Sequence, residues 1–353
     1  MSKIHKFYIE PILRTYNAFV VKPILAIESS CDETAVAILE DGQHLRANLI
    51  SSQIAKHRPF GGIVPELASR CHAEIINTLI DQALKDANIK LRDIHAVAVT
   101  HGPGLVGALL VGMAAAKALS GSLGIPLVAV NHLKSHVYSN FLSPSPVFNF
   151  PYLILLVSGG HTQLIEFKSH TQLKVIAETQ DDAAGEAFDK VARLLELGFP
   201  GGPAIQKAAE QGNPEAYFFS AAKHSDRFSF SGIKTAVALF IKKNPSASKA
   251  DVAASFQKAV VDALVQKTLM AAEAQKFERI MLCGGVAANA MLRKTLARAC
   301  AENGFEFSMP DLAYCTDNAA MVACAGYHQL EHGGPSDLNF AADPNLELHE
   351  WTV

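Results

Sequence analysis

Two segments of this chain share one pattern, an apolar strand followed by a polar turn and a second apolar strand. The first pattern covers residues 24–39, and the second covers residues 152–167. From Pro23 onward, apolar strands alternate with helical patterns, which indicates α/β architecture. The paired units predict a duplicated fold of two lobes, in which the two turns face each other across a ligand cleft.

The predicted fold class is α/β, of the duplicated two-lobed, actin-like kind (ASKHA) that has a nucleotide cleft between its lobes. Prolines in residues 143–151 remove strand donors and indicate a linker between the lobes. The predicted segments are an N-terminal appendage expected to be disordered (1–23), an N-terminal lobe (24–142), the linker (143–151), a C-terminal lobe (152–335) with a helical insertion (about 185–278), and a C-terminal tail (336–353).

Composition limits the classes of protein that this chain can be. With 353 residues, 49% hydrophobic and 18% charged, the chain can bury a large core, which excludes disordered and fibrous classes. Its formal charge of −3 indicates that a nucleic-acid partner would be held by a local basic cluster or with help from other proteins. No apolar run approaches the roughly 20 residues of a membrane span, so we expect no membrane partner.

Cysteine spacing and the first residues bear on location. The six cysteines show no CxxC spacing, which predicts reduced thiols without a disulfide or a thiolate zinc site. We therefore expect a cytoplasmic protein. Residues 1–23 carry four basic side chains and one acidic side chain, so a mitochondrial or plastid transit peptide is the alternative.

A metal-ligand spacing follows the apolar run at residues 126–130. His132 and His136 are four residues apart, so on a helix their imidazoles share one face. They can converge on one divalent ion if a third ligand arrives from elsewhere. The carboxyl end of a buried strand is also where α/β proteins place their sites.

A second histidine pair has the same spacing in a different context. His328 and His332 precede Gly333-Gly334-Pro335, which is a typical helix stop. A cationic side chain there complements the exposed carbonyls at the end of the helix. We predict that this pair lies on the surface.

Glycine turns follow several predicted strands. Residues 102–107 match the GxGxxG of dinucleotide-binding proteins, but the next strand ends in Asn131-His132 and lacks the acid that holds the ribose. We interpret this segment as a tight turn into a buried helix. The turns at 158–160, 201–202 and 284–285 would let backbone amides approach a ligand.

Two acids stand beside small residues near predicted helix starts. Asp189 lies in Phe188-Asp189-Lys190, and Asp317 lies in Thr316-Asp317-Asn318. Helix capping explains an acid in such a position. Participation in a site is the alternative.

Several motifs of this chain occur together, and in the same order, in one known family. They are Glu28-Ser29-Ser30-Cys31-Asp32-Glu33-Thr34, Gly61-Gly62-Ile63-Val64-Pro65-Glu66, Gly102-Pro103-Gly104-Leu105, His132-x-x-x-His136, Ser158-Gly159-Gly160-His161-Thr162, Phe188-Asp189, Gly201-Gly202-Pro203, Gly284-Gly285-Val286 and Thr316-Asp317-Asn318. From about Ile24 to Gly326, the chain closely resembles the TsaD family, the tRNA threonylcarbamoyladenosine transferases.

The resemblance implies a metal-dependent acyltransferase. The family moves a threonylcarbamoyl group from threonylcarbamoyl-AMP to the exocyclic amine of adenosine 37 in tRNAs that read codons beginning with adenine, and AMP is released. One divalent ion per subunit is implied, with Fe²⁺ expected and Zn²⁺ as the alternative. The implied metal ligands are His132, His136 and Asp317. The implied contacts to threonylcarbamoyl-AMP are Leu156, Val157, Ser158, Gly159, Gly160, Asp189, Gly202 and Asn289.

The implied reaction needs a base and partners. An adenine amine is a poor nucleophile whose proton must leave as the new bond forms, and our hypothesis assigns Asp32 or Glu33 as the base. Relatives work with a TsaB-like paralogue and a TsaE-like ATPase, which suits the weak overall charge. The basic residues considered for tRNA binding are Lys223, Arg227, Lys234, Lys242 and Lys243.

Other functions compete with this interpretation. An ATPase or kinase of the same fold, and a non-catalytic scaffold of the same complex, are the alternatives. A zincin protease requires Glu directly after its first histidine, where this chain has Leu133. Gln206 stands where many relatives carry an aspartate that touches substrate, so we omit it from the site.

Overall fold

The computed structural model describes residues 22–142, 149–219 and 228–348. Most of the predicted appendage, much of the predicted linker and the end of the predicted tail therefore lie outside the described residues. Lys223 and Arg227, which were considered for tRNA binding, also lie outside them.

The first sheet is built from the N-terminal part of the chain. Its strands are β1 (Ile24–Glu28), β2 (Glu33–Glu40), β3 (His44–Ser52), β4 (Ala96–Gly102) and β5 (Leu127–Asn131). Their order is β3-β2-β1-β4-β5. Strand β1 pairs antiparallel with β2 and parallel with β4, so β1 is central and buried along its whole length.

The second sheet repeats this arrangement. Its strands are β6 (Tyr152–Val157), β7 (Thr162–Ser169), β8 (Gln172–Glu178), β9 (Arg279–Cys283) and β10 (Glu306–Ser308). The order is β10-β9-β6-β7-β8, and β6 pairs antiparallel with β7 and parallel with β9. Because β6 stands where β1 stands in the first sheet, the prediction of a duplicated α/β fold is confirmed.

Helices cover both sheets and separate them. The helices are α1 (Ile54–His57), α2 (Pro65–Asp86), α3 (Val106–Leu123), α4 (His132–Tyr138), α5 (Ala184–Leu194), α6 (Gly201–Ala209), α7 (Ser231–Lys243), α8 (Lys249–Gln275), α9 (Ala290–Glu302) and α10 (Ala319–Gly333). Helices α2 and α3 cover one face of the first sheet. Helices α5 to α9 cover one face of the second sheet, and α4 and α10 share a core with the remaining face of each.

Strand β6 shows why the strand sequences are continuously apolar. Successive side chains of a strand point to opposite faces of the sheet. Leu153 and Leu155 pack with the helices on one side, whereas Ile154 and Leu156 enter the core that both sheets share. Because both faces of the sheet are buried, apolar residues occupy successive positions of the strand without alternating polar ones.

Helix α10 follows the second sheet in sequence but packs against β1, β2 and β5 of the first sheet. Its contact surface consists mainly of small residues, and Gly326 faces Ala98 so closely that an added Cβ would lie 2.6 Å from the Ala98 Cβ. The segment boundaries inferred from sequence, which place this helix in the C-terminal lobe, stay a prediction.

Helix α3 begins at Val106, within the GxGxxG segment at residues 102–107, so this segment is a tight turn into a helix as predicted. By length and composition alone, α3 is the one helix among the described residues that could cross a membrane. In this structure, Leu109, Met113 and Ala116 of α3 pack into the core beneath the first sheet.

A stack of three imidazoles joins α10 to the turn between β7 and β8. The His170 ring lies 4.4 Å from that of His328 and 4.6 Å from that of His332, with interplanar angles of 6° and 10°. His332 is exposed, but His328 is half-buried and stacks on Tyr138 with ring centroids 5.3 Å apart. The prediction of a surface pair was therefore wrong for His328.

The stack makes stability depend on pH. Burial, helped by neighbouring positive groups, lowers the pKa of His170 to about 4 and that of His328 to about 3. The unfolded chain takes up these protons near pH 6.5, before the folded protein does. We expect the melting temperature of the metal-free protein to fall as pH drops from 6.5 toward 4. In His328→Phe, the decline should be shallower in the same buffers; an equal slope would contradict this account.

Candidate active site

The turns of the two strand-turn-strand units line one cleft of about 1180 Å³. Ser30, Cys31 and Asp32 contribute the β1–β2 side, and the turn at residues 158–160 contributes the β6–β7 side. The two turns therefore face each other across one cleft, as the sequence pattern predicts. The cleft is also lined by His132 and Asp317.

Two histidines and one carboxylate converge at the wall of this cleft. His132 begins α4 directly after β5, and the Asn131 side chain caps that helix by accepting hydrogen bonds from two backbone amides. Asp317 immediately precedes the N-cap residue of α10. The Asp317 Oδ1 lies 3.5 Å from His132 Nε2 and 3.2 Å from His136 Nε2. The tertiary fold therefore unites three side chains that are up to 185 positions apart, from residue 132 to residue 317.

A buried carboxylate behind His132 fixes which imidazole nitrogen faces the cluster. Glu28 Oε2 lies 3.1 Å from His132 Nδ1, and it accepts a 2.6 Å hydrogen bond from Thr100 Oγ1. The other Glu28 oxygen accepts a 2.6 Å hydrogen bond from the Ser30 amide. Since Glu28 holds Nδ1, Nε2 is the nitrogen that points toward Asp317. Our sequence reasoning missed Glu28, although it opens the Glu28–Thr34 motif.

The cluster has the electrostatics of a cation site. Burial alone would lower the pKa of His132, but the carboxylates of Asp317 and Glu28 outweigh burial and raise it to about 9. Burial would raise the pKa of Asp317, but the two imidazoles lower it to about 2. At neutral pH the carboxylates of Glu28 and Asp317 are thus ionised and face one positive charge, on His132.

The residues present fit a divalent ion. Two imidazole nitrogens and one carboxylate oxygen are a donor set that suits first-row ions such as Fe²⁺ or Zn²⁺. The three ligand atoms lie within 4.8 Å of one another. A carboxylate that engages the far nitrogen of a histidine ligand is the usual support of such a site. The assignment of His132, His136 and Asp317 as ligands rests on this fit and stays a prediction.

Replacing Glu28 tests its support of His132. In Glu28→Gln, the amide can still contact His132 but no longer supplies the negative charge that holds the ring, so we expect metal affinity to fall about 10- to 100-fold. Equilibrium dialysis with a divalent ion measures this change. Glu66→Gln removes an exposed carboxylate and should leave the affinity unchanged. Equal affinities for Glu28→Gln and wild type would contradict the supporting role.

Asp32 and Glu33 lie side by side at the cleft. Asp32 is buried, and Glu33 Oε1 accepts a 3.1 Å hydrogen bond from Ser52 Oγ. Burial and the like charges of Asp317 and Asp32 raise the pKa of Glu33 to about 9. In the metal-free protein Glu33 therefore carries a proton at neutral pH, so Asp32 is the better candidate for a proton acceptor.

The glycine turn of the second unit and one helical acid complete the cleft. Ser158, Gly159 and Gly160 line it, and the turn is closed by a 2.8 Å hydrogen bond from the Ser158 amide to the His161 carbonyl. Asp189 lines it as well, and its Oδ1 accepts a 2.7 Å hydrogen bond from the Gly201 amide. Burial raises the pKa of Asp189.

Four other residues predicted to touch substrate do not line the cleft. Leu156 and Val157 are fully buried, so any contact with a ligand would come from their backbone. Gly202 lies in the first turn of α6. Asn289 caps α9 through Leu292 and donates a 2.8 Å hydrogen bond to Gln257, so its side chain is already engaged. The substrate contacts of these four residues stay predictions.

The C-terminal tail supplies a wall of the cleft that sequence reasoning missed. Residues 344–348 line the cleft beside the glycine turn of the first lobe. The Gly104 amide donates to the Pro344 carbonyl at 3.2 Å, and Asn131 Nδ2 donates to the Glu347 carbonyl at 3.0 Å. Both hydrogen bonds are accepted by backbone carbonyls of the tail, which every residue type has, so these contacts leave no pattern in its sequence.

Fold and site together define a two-lobed α/β protein with a candidate metal centre in its cleft. A family model described as "TsaD: tRNA N6-adenosine threonylcarbamoyltransferase" matches residues 44–324. The chain belongs to the TsaD family of tRNA N6-adenosine threonylcarbamoyltransferases, and the family resemblance inferred from the motifs is confirmed.

Full-length relatives carry the same description. A tRNA N6-adenosine threonylcarbamoyltransferase of Clostridium botulinum (strain Kyoto / Type A2) is 49% identical over 334 residues, which cover 93% of this chain and 98% of the relative. One from Desulfitobacterium hafniense (strain Y51) is 51% identical over 332 residues, covering 92% of this chain and 97% of the relative.

Solved structures support the fold at low sequence identity. Full-length HypF in its phosphate- and nucleotide-bound form superimposes with a TM-score of 0.61 at 16% identity, covering 89% of this chain and 47% of that chain. HypF of T. kodakarensis gives the same TM-score at 12% identity, covering 88% of this chain and 48% of that chain. These likenesses concern the fold alone.

Proposed function

We propose that this chain transfers the threonylcarbamoyl group of threonylcarbamoyl-AMP to the exocyclic amine of adenosine 37 in tRNAs that read codons beginning with adenine. The observation that carries the proposal is the convergence of His132, His136 and Asp317 on the cleft that the two turns line. Family membership supplies the reaction class. Neither a kinase nor a scaffold of this fold needs such a cluster at its cleft.

The reaction is an acyl transfer at a carbamoyl carbon. The amine nitrogen attacks that carbon, the bond from carbon to the phosphate oxygen breaks, and AMP leaves with the electron pair. The amine must also lose a proton. We propose that the backbone amides of Gly159 and Gly160, two exposed residues of the cleft wall, hold the phosphate of the adenylate.

His132, His136 and Asp317 would hold one divalent ion, for which we propose Fe²⁺, with Zn²⁺ as the alternative. When bound, such an ion supplies Lewis-acid stabilisation for negative charge that develops on substrate oxygens. Glu28 keeps the His132 ring oriented toward this position.

We propose tRNA, a TsaB-like paralogue and a TsaE-like ATPase as partners. The net charge of −3 gives the chain no overall attraction for a polyanion, which favours dependence on other subunits. Of the basic residues considered for tRNA, Lys234 donates to Asp182 at 2.5 Å and is therefore already paired with a carboxylate. Lys242 and Lys243 end α7 on the surface.

The proposal is tested by transfer of labelled threonylcarbamate from threonylcarbamoyl-AMP to unmodified tRNA, with the partner proteins present. Wild type should label the tRNA, lose this activity after treatment with a chelator, and regain it when Fe²⁺ or Zn²⁺ is returned. Labelling that persists without any divalent ion would remove the metal from the mechanism. Absence of labelling together with tRNA-independent ATP hydrolysis would favour the ATPase or kinase alternative.

The two candidate bases are separated by conservative variants. Asp32→Asn removes the proton acceptor, so we expect transfer to fall about 100-fold. Glutamine resembles the protonated Glu33 side chain, so the transfer rate of Glu33→Gln should fall by less than about fivefold. The same transfer assay at pH 7 measures both variants. If both variants transferred at the wild-type rate, neither Asp32 nor Glu33 would be the base. If Glu33→Gln lost more activity than Asp32→Asn, Glu33 would be the base.

A further inference from the structure

A second group of metal-ligating side chains lies outside the cleft, in the imidazole stack of the fold. One ring nitrogen from each of His170, His328 and His332 lies within 4.8 Å of the others. We propose that these three histidines form a divalent-metal site, of the class that binds Zn²⁺ or a neighbouring first-row ion through imidazole nitrogens.

The three rings are close enough to share one ion once they turn out of their parallel stack, in which their nitrogen lone pairs do not converge. Two nitrogens bound tetrahedrally to one zinc ion lie about 3.3 Å apart, because each zinc–nitrogen bond is about 2.0 to 2.1 Å. His328 and His332 are four residues apart on α10, so they already share one helix face. His332 is exposed, so its ring has room to rotate and solvent ions have a path to the group.

A buried phenol supports the third ligand. Tyr138 Oη lies 2.8 Å from His170 Nδ1. In the tautomer in which Nδ1 donates to this oxygen, Nε2 of His170 presents its lone pair. Metal-bound histidines usually have their second nitrogen engaged in this manner, which fixes both the tautomer and the orientation of the ring.

The charges around the group favour an ion that prefers imidazole. Burial lowers the pKa values of His170 and His328, so both rings are neutral ligands at pH 7. A set of three imidazole nitrogens without a carboxylate favours Zn²⁺, Ni²⁺ or Cu²⁺ and disfavours Mg²⁺, Ca²⁺ and Mn²⁺.

An ion at this position would tie two segments of the fold together. His170 lies in the turn between β7 and β8, and residues 173–178 of β8 line the cleft. The other two ligands lie on α10, which begins two residues after Asp317. The ion would therefore fix the second-lobe hairpin against the helix that packs on the first sheet. This role does not depend on the reaction proposed above.

Ion stoichiometry tests the proposal. Full-length, tag-free protein is stripped with a chelator and titrated with Zn²⁺ or Co²⁺ in a His132→Ala/His136→Ala background, which removes two ligands of the cleft cluster. We expect one ion to remain bound per chain, with a rise in melting temperature. Adding His332→Ala should weaken this binding at least about tenfold. His44→Ala, which replaces an exposed histidine on β3, is the matched control.

Folding and specificity are checked in the same series. His332 is exposed near the end of a helix, so metal-free His332→Ala should melt within a few degrees of its parent. Mg²⁺ in place of Zn²⁺ should produce no rise in melting temperature. The proposal is overturned if the background protein binds no ion, or if the His332→Ala and His44→Ala variants bind Zn²⁺ equally well.

Discussion

Asp317→Asn is expected to reduce threonylcarbamoyl transfer by at least about 100-fold and to abolish tight binding of a divalent ion at the cleft. Asp317 is the one carboxylate in the group of His132, His136 and Asp317, and it lies within 3.5 Å of both imidazoles. Asparagine keeps the shape of the side chain but supplies a neutral, weaker oxygen ligand. The loss should appear in both the transfer rate and the amount of bound metal.

The measurement compares transfer and metal content for the variant and wild type under the same conditions. Asp311→Asn is the matched control, because Asp311 is exposed and precedes Asp317 on the same segment. His136→Ala removes a different ligand and should give a similar loss. If Asp317→Asn kept wild-type metal content while losing activity, Asp317 would act on the substrate and not on the ion.

Gly284→Ala is expected to destabilise the protein by about 3 kcal/mol or more. Gly284 follows β9 with φ of +93°, a conformation that side chains rarely adopt. An added Cβ would also lie 2.3 Å from the Val157 carbonyl oxygen, at the end of β6. Both strand ends belong to the central part of the second sheet, so the backbone cannot move away without breaking their pairing.

Its neighbour provides a close control. Gly285 has open space around the position of an added Cβ and does not have a positive φ, so Gly285→Ala should change stability by only about 0.5 kcal/mol. Chemical denaturation or thermal melting of the two variants gives the comparison. Equal stabilities for Gly284→Ala and Gly285→Ala would show that the turn relaxes around the new methyl group.

The duplication of the fold and the positions of its two turns were predictable because the signals are local. Apolar runs ending in polar or glycine-rich turns specify strands, and the repetition of this pattern at residues 24–39 and 152–167 predicts the duplication. His132 and His136 were recognisable for the same reason, since a spacing of four on a helix places both side chains on one face.

A motif alone did not predict which atoms of its residues face the cleft. Leu156 and Val157 belong to a glycine-turn motif, yet alternation along β6 directs their side chains into the two cores. Asn289 belongs to another glycine motif, and its side chain caps a helix. A motif marks where the chain approaches a ligand, whereas strand direction and helix capping decide which of its atoms face the cleft.

The sequence by itself determined the fold class, the facing turns and the histidine pair at the end of β5, because each follows from spacing along one segment. Only the tertiary structure decided that Glu28 holds His132, that residues 344–348 wall the cleft, and that His328 stacks with His170. These contacts join segments separated by as many as 240 positions, such as Gly104 and Pro344 of the tail. No local period records such pairings, because they arise from the way the two sheets and α10 pack together.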